Sequence, residues 1–199
     1  MNIENAILKE QARAIHHSLL PSIVSGGIFA LVFVAVFGTK VSNVYSAVFL
    51  TVLAALTAFN FLLWKAFRRA TYSPAGARRL LCLASIGYAL TSILWGIAVY
   101  LFFPADRSAQ QMALFLAVLM AGTTSIFSLG YYYPAFLAAV MPMGVLNTLI
   151  IGWQGPIIQS LFICLVAFIP IITVYAWRFN QIVITSLRLR FENISLIDH

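Results

Sequence analysis

Six stretches of this chain are each long enough to cross a bilayer. Apolar runs cover 19–37, 44–64, 80–103, 112–129, 134–152 and 157–177, and no Asp, Glu, Lys or Arg falls inside any of them. About 20 apolar residues wound as a helix span the hydrocarbon core. Helices also satisfy every backbone polar group without help from water, which hydrocarbon demands. The pattern therefore predicts an all-α protein, an integral membrane bundle of six transmembrane helices. Composition agrees. Hydrophobic residues make up 62% of the 199 and charged residues 9%, where a soluble domain carries roughly 25% charge. Lipid is the solvent such a chain needs. The first run is too long for the apolar centre of a signal peptide and starts too far into the chain, so it reads as a retained helix.

Three parts follow: an N-terminal segment 1–18, the six-helix domain 19–177, and a polar helix 178–199. The connections are short, so neighbouring helices are expected antiparallel, with both termini on one side. That side collects Lys9, Arg13, Lys65, Arg68, Arg69, Arg78, Arg79, Arg178, Arg188 and Arg190, against Lys40 and Arg107 on the other. Short loops rich in Lys and Arg stay cytoplasmic. The expectation is a multi-pass protein of a bacterial inner membrane with both termini in the cytoplasm. The cations lie between apolar runs and form no continuous soluble face, so the net charge of +7 does not imply a nucleic-acid partner. The loop "KAFRRATYSPAGARR" is expected to turn at Pro74-Ala75-Gly76. Aromatics flank the spans as interfacial belts do: Trp64, Tyr72, Tyr131, Tyr132, Tyr133 and Trp177 on one side, Tyr45, Phe102, Phe103 and Trp153 on the other. Cys82 and Cys164 have no CxxC partner and are read as buried small apolar side chains.

Helices in lipid associate where small residues let backbones approach. Ala113, Ala117, Ala121 and Ser125 recur at spacing four in the fourth run. Ser22, Gly26 and Ala30 do so in the first, and Ser92 and Gly96 in the third. These are the expected contact faces, within the bundle or across a dimer.

Chemistry is sparse. A proton- or ion-coupled transporter needs a titratable or charged relay at membrane depth, and the spans hold none. No nucleophile lies beside a base, and no HExxH, phosphate-binding loop or carboxylate pair occurs. No catalytic residue is assigned, and no cofactor is required. His16 and His17 sit at the mouth of the first span. Solvated interfacial histidines are the plain reading, and a haem or metal site needs further ligands at the right depth. The polar residues within spans are Asn60, Asn147 and the "GTTS" hydroxyls Thr123, Thr124 and Ser125, with Trp95 among the apolar residues of the third run. Pro142 interrupts the fifth helix and frees backbone carbonyls in mid-membrane, which need partners or a cavity. A kinked fifth helix beside the hydroxyl-bearing fourth would frame a pocket for a small, mostly apolar ligand, with Asn60, Trp95, Thr123, Thr124, Ser125 and Asn147 as its candidate residues. Interhelical hydrogen bonding is the competing account of the same residues.

Beyond the last run, Asn180, Val183, Leu187, Arg190, Ile194 and Ile197 follow a 3-4 spacing, one seam of a heptad pattern. Two tethered copies would meet at high effective concentration, so a homodimer is expected. An amphipathic helix lying on the inner leaflet is the alternative.

The closing "ENISLIDH" resembles the entry segment of GGDEF-type diguanylate cyclase domains. There a signalling helix ends in Asn-x-x-Leu-x-x-Asp, and Asn193, Leu196 and Asp198 resemble that pattern, with Asp198 two rather than three residues after Leu196. The six runs look like the MASE-like integral-membrane sensor regions that precede such cyclases and some histidine kinases. "GTTSIFSLGYYYPAFLAAVMPMGVLNTL" is similar to their fourth and fifth helices. The Gly-Gly-Asp-Glu-Phe signature does not occur in these 199 residues, so no cyclase residue is carried over. The resemblance implies a sensor half, with a cytoplasmic output domain in cis that makes cyclic di-GMP. A small-solute facilitator and a haem- or metal-binding sensor remain as alternatives.

Overall fold

The computed structural model describes residues 3–38, 42–68, 73–102, 108–151 and 156–197, with side chains apart from 108–110, 115, 150–151, 156–162, 195 and 197. Lys40, Arg69, Tyr72, Phe103, Arg107, Trp153 and Asp198, which carry parts of the topology and linker readings, lie outside the described residues, as does the side chain of Ile197.

Six helices follow in order: α1 (Ile3–Phe37), α2 (Asn43–Phe67), α3 (Pro74–Leu101), α4 (Ser108–Leu129), α5 (Tyr133–Ile151) and α6 (Pro156–Ile197). Five are long and apolar enough to cross a membrane, and α5 contributes a shorter apolar stretch, Tyr133–Leu149. By length and composition this is a multi-pass helical membrane protein. Its outer face agrees: Val24, Ile28 and Leu31 of α1 are 55%, 60% and 65% exposed, an apolar surface suited to lipid.

The helices run alternately up and down. His16 of α1 stacks on Trp64 near the end of α2, and at the other end Phe33 of α1 meets Phe49 of α2 and Phe102 after α3. Two core clusters mark these ends. One gathers Ile15, Leu19, Leu80, Leu81, Phe136 and Ala176 near the terminal side. The other gathers Phe33, Phe49, Leu53, Val99 and Phe102 at the far side.

The closest helix pair is α3 against α5. A Cβ on Gly96 would come within 2.6 Å of Leu146 Cδ1, so only glycine permits this approach. Four residues earlier, Ser92 Oγ accepts the backbone N–H of Met143 at 2.9 Å. Pro142 disturbs the α5 hydrogen-bond ladder at this point, and the α3 hydroxyl satisfies the neighbouring donor. The group met here is an N–H donor, whereas the sequence pointed to freed carbonyls, so α3 answers a different need from the one expected.

The structure departs from the sequence reading in four places. Pro74-Ala75-Gly76 is not a loop turn but the first turn of α3. Ser73 is its N-cap, accepting from Gly76 N–H at 3.0 Å, and proline suits the first helical position because its missing N–H is unused there. Arg78 and Arg79 therefore stand on α3. Cys82 and Cys164 are exposed rather than buried, because each lies on the outward side of its helix. Helix also runs unbroken through residue 18, and Ile7, Gln11, Ala12 and Ile15 of the N-terminal segment are buried in the bundle. Finally, the small-residue stripes are not all contact faces. Ser92 and Gly96 are, and Ala30 is packed in the far cluster, but Ser22 and Gly26 of α1 and the stripe on α4 border open space.

Candidate functional site

That space is a cavity of about 750 Å³ between α1 and α4, floored by α2 and α3. Ser22 and Gly26 face it from α1, and Ala113, Ala117, Ala121 and Ser125 face it from α4. Small side chains on both walls leave a gap that larger ones would close. The volume falls within the range of small-molecule pockets, about 300–1,000 Å³. On its rim, Phe29 of α1 and Leu116 and Met120 of α4 are 39%, 50% and 67% exposed, so the cavity opens sideways through the apolar surface.

The two ends of the cavity differ. Towards the far side of the bundle it is aromatic. Trp95 stands 5.0 Å from Phe29, 5.2 Å from Phe33 and 5.4 Å from Phe49, centroid to centroid, the last two edge to face. Towards the terminal side it is polar and carries Ser22, Asn60, Tyr88, Ser125 and Ser128. No charged side chain lines it among the described residues.

Several hydroxyls along the cavity are already bonded. Thr124 Oγ1 donates to Met120 O at 2.9 Å and Ser125 Oγ to Ala121 O at 2.7 Å, back-bonds within their own helix. Thr91 does the same to Gly87 O at 2.9 Å. Two groups differ. Asn60 is 8% exposed and its Oδ1 has no hydrogen-bond partner. Its amide fits because Gly87 opposite lacks a Cβ, which would collide with Oδ1. The Tyr88 hydroxyl is likewise buried, beside the side chains of Ser18 and Ser22.

Of the candidate ligand residues, the structure brings Asn60, Trp95, Thr124 and Ser125 to this cavity. Thr123 is exposed on another side of α4 and bonds Leu119 O at 2.8 Å. Asn147 is fully buried away from it, with neither amide atom partnered. The pocket is framed by α1 and α4 more than by α5, which supplies Ala139 and Met143. Sequence reasoning missed Tyr88, and of the aromatic end it named Trp95 but not Phe29 or Phe33, which recur at spacing four in α1.

The histidines stand elsewhere. His16 Nε2–H donates to the Trp64 carbonyl at 2.9 Å. Trp64 lies in the last turn of α2, whose final four carbonyls have no partner within the helix, so His16 caps α2 from outside. His17 is exposed and packs edge to face on His16 at 5.9 Å. Among the described residues no three His, Cys, Asp or Glu come together as a metal would need.

At the terminal end, three elements meet on the α4–α5 turn. Asn180 of α6 donates to Gly130 O at 3.1 Å and to Tyr131 O at 2.8 Å. Gln11 of α1 donates to the same Tyr131 O at 2.8 Å. Both amides are buried, at 5% and 7% exposure. Buried turn carbonyls need such donors. Asn180 therefore faces its own bundle rather than a seam between copies. Val183 and Leu187 are half-buried, and Arg190 and Ile194 are exposed.

No protein-family model matches the chain, and no curated protein or solved structure matches it either.

Proposed function

We propose that this chain is the sensing and transmitting part of a membrane receptor. The helix bundle takes up a stimulus at the lateral cavity, and α6 carries the change to a cytoplasmic output domain. The observation that carries this reading is α6 itself. It is one helix of 42 residues, Pro156–Ile197, about 63 Å long at 1.5 Å per residue. That is about twice the hydrocarbon thickness. The amide of Asn180 ties it to the α4–α5 turn where it leaves the bundle. Any tilt of α4 or α5 acts on α6 through that tie. Val183, Leu187, Arg190, Ile194 and Ile197 then form the seam through which two copies pair.

The similarity of "ENISLIDH" to the entry of GGDEF-type domains supports a diguanylate cyclase as the output. The bias of Lys and Arg to one end supports a cytoplasmic position for both termini in a bacterial inner membrane. The test joins residues 1–199 to a diguanylate cyclase domain and compares it with the same fusion lacking 19–177. Cyclic di-GMP output should change on deletion of the bundle. Equal output from both proteins would sink the reading.

A further inference from the structure

We propose that one acyl chain of a bilayer phospholipid lies in the cavity between α1 and α4, with its head group left outside in the membrane interface. This deepens the receptor reading, on which it rests, by naming what occupies the site.

The shape is that of a chain. Along α4 the lining runs from Ala113 to Leu129, about 24 Å at 1.5 Å per residue, where the hydrocarbon core is about 30 Å thick. The space is a slot parallel to the helices, as the chains of the surrounding bilayer are. It opens sideways past Phe29, Leu116 and Met120, which are exposed on the apolar surface. A chain swings in from the bilayer without crossing water.

The chemistry disfavours other occupants. No charged side chain lines the slot among the described residues, so a charged head there would lack a counter-charge. The polar atoms are engaged with protein. Asn60 Oδ1 lies against Gly87, and the Tyr88 hydroxyl lies beside Ser18 and Ser22. Thr91, Thr124 and Ser125 donate to carbonyls of their own helices, and Ser92 accepts the Met143 N–H. Thr57 adds one hydroxyl, whereas a buried water needs about two to four polar partners. Left empty, a space of about 750 Å³ would deprive its walls of the contacts that a packed interior supplies. Methylene groups supply them and ask for no hydrogen bond.

Occupancy reaches α6 through α4, whose two sides meet different neighbours. Ala117 and Ala121 face the slot. Gly122 is pressed on α6, where a Cβ would come within 3.2 Å of Phe168 and 3.3 Å of Ile172. A chain that enters or leaves therefore moves a helix in contact with the transmitting one.

Trp95 is the reporter. It lines the slot about 9 Å from the end of α3 at Leu101, at the depth of the middle of a chain. Gly26 is the probe on the α1 wall, because a Cβ built on it meets no atom within 4 Å, so Gly26→Leu fills the slot without a clash. Gly27 is equally open but does not line the slot, so Gly27→Leu is the matched control. Ala117→Leu fills the slot from the α4 wall.

The experiment uses the full chain with Trp64→Phe, Trp153→Phe and Trp177→Phe, in nanodiscs of phosphatidylcholine with and without bromine at mid-chain. Bromine should quench Trp95. Gly26→Leu and Ala117→Leu should each remove most of that quenching, and Gly27→Leu should leave it. Quenching that survives both filling variants places the chain on the outer surface and overturns the inference. Quenching by acrylamide in water instead of by bromine shows a wet slot, and quenching by neither shows a closed one. Both overturn it too. If the tryptophan-poor chain does not fold, the native chain is read with phosphatidylcholine carrying a mid-chain diazirine. Cross-links at Ser22, Gly26 and Ala117 are then expected, and cross-links confined to outward residues such as Val24 and Ile28 overturn the inference. Occupancy is read on this chain without an output domain. Its failure leaves the transmission role of α6 standing, and a failed fusion test leaves the lipid site standing.

Discussion

Asn180 and Gln11 share one acceptor, and that makes their contributions unequal. Asn180→Ala leaves Gly130 O with no side-chain donor and removes one of two donors from Tyr131 O. Gln11→Ala leaves Tyr131 O still served by Asn180. A buried acceptor left bare costs about 1–3 kcal/mol. Thermal unfolding in nanodiscs should show a loss of about 2 kcal/mol for Asn180→Ala and about 1 kcal/mol or less for Gln11→Ala. Equal losses would contradict the shared-carbonyl geometry. At this scale the sequence was a partial guide. Asn60, Trp95, Thr124 and Ser125 were legible as polar or aromatic residues in apolar runs, and the structure gathers them. Asn147 and Thr123 carried the same signal and went elsewhere, since type and run do not say which way a helix is turned. Asn180 read as a polar interruption of a seam, and the structure uses it inside the bundle.

Among the described helices α6 is the longest, and its 42 residues are about twice what a membrane needs. A rigid helix transmits rotation, so its register is testable. One residue inserted between Leu187 and Arg188 turns everything beyond it by about 100°. In the cyclase fusion this should abolish or invert control by the bundle. Seven inserted residues restore the heptad register and should restore control. Control that survives the single insertion would show that α6 does not act as a rod. The other helices teach a different lesson. The α3 stripe of Ser92 and Gly96 packs on α5, while Ser22 and Gly26 of α1 and the stripe on α4 line empty space. Small residues permit close approach without compelling it. Which outcome occurs depends on whether another helix stands opposite with a side chain such as Leu146 to fill the gap.

For the whole molecule, the two core clusters close the ends of the bundle and leave the cavity between them. Lys9, Arg13, Lys65, Arg68, Arg78, Arg79, Arg178, Arg188 and Arg190 all lie towards one end, given the up-and-down order of the helices. A fluorescent protein that folds only in the cytoplasm, fused after His199, should fluoresce in a bacterial host. A periplasm-dependent phosphatase at the same position should stay inactive. The reverse pattern would overturn the proposed orientation and, with it, a cytoplasmic output.

What the sequence determined by itself was the number of helices, their apolar character and the one-sided placement of cations. Those follow from local rules, since run length matches bilayer thickness and hydrocarbon forces every backbone group into a helix. It also marked Pro142 as a break in α5 that frees carbonyls, although the bond seen there is made by an N–H. Tertiary structure alone decided that Ser92 is the hydroxyl that answers there, that His16 caps α2, and that Asn180 and Gln11 converge on Tyr131. It alone decided that α1 and α4 stand apart around a cavity with an unpartnered Asn60. The reason is rotational. A helix that is apolar on all sides carries little periodic signal of its inward face, because lipid and core accept the same residues. Only packing against the other helices selects which side of each one turns inward.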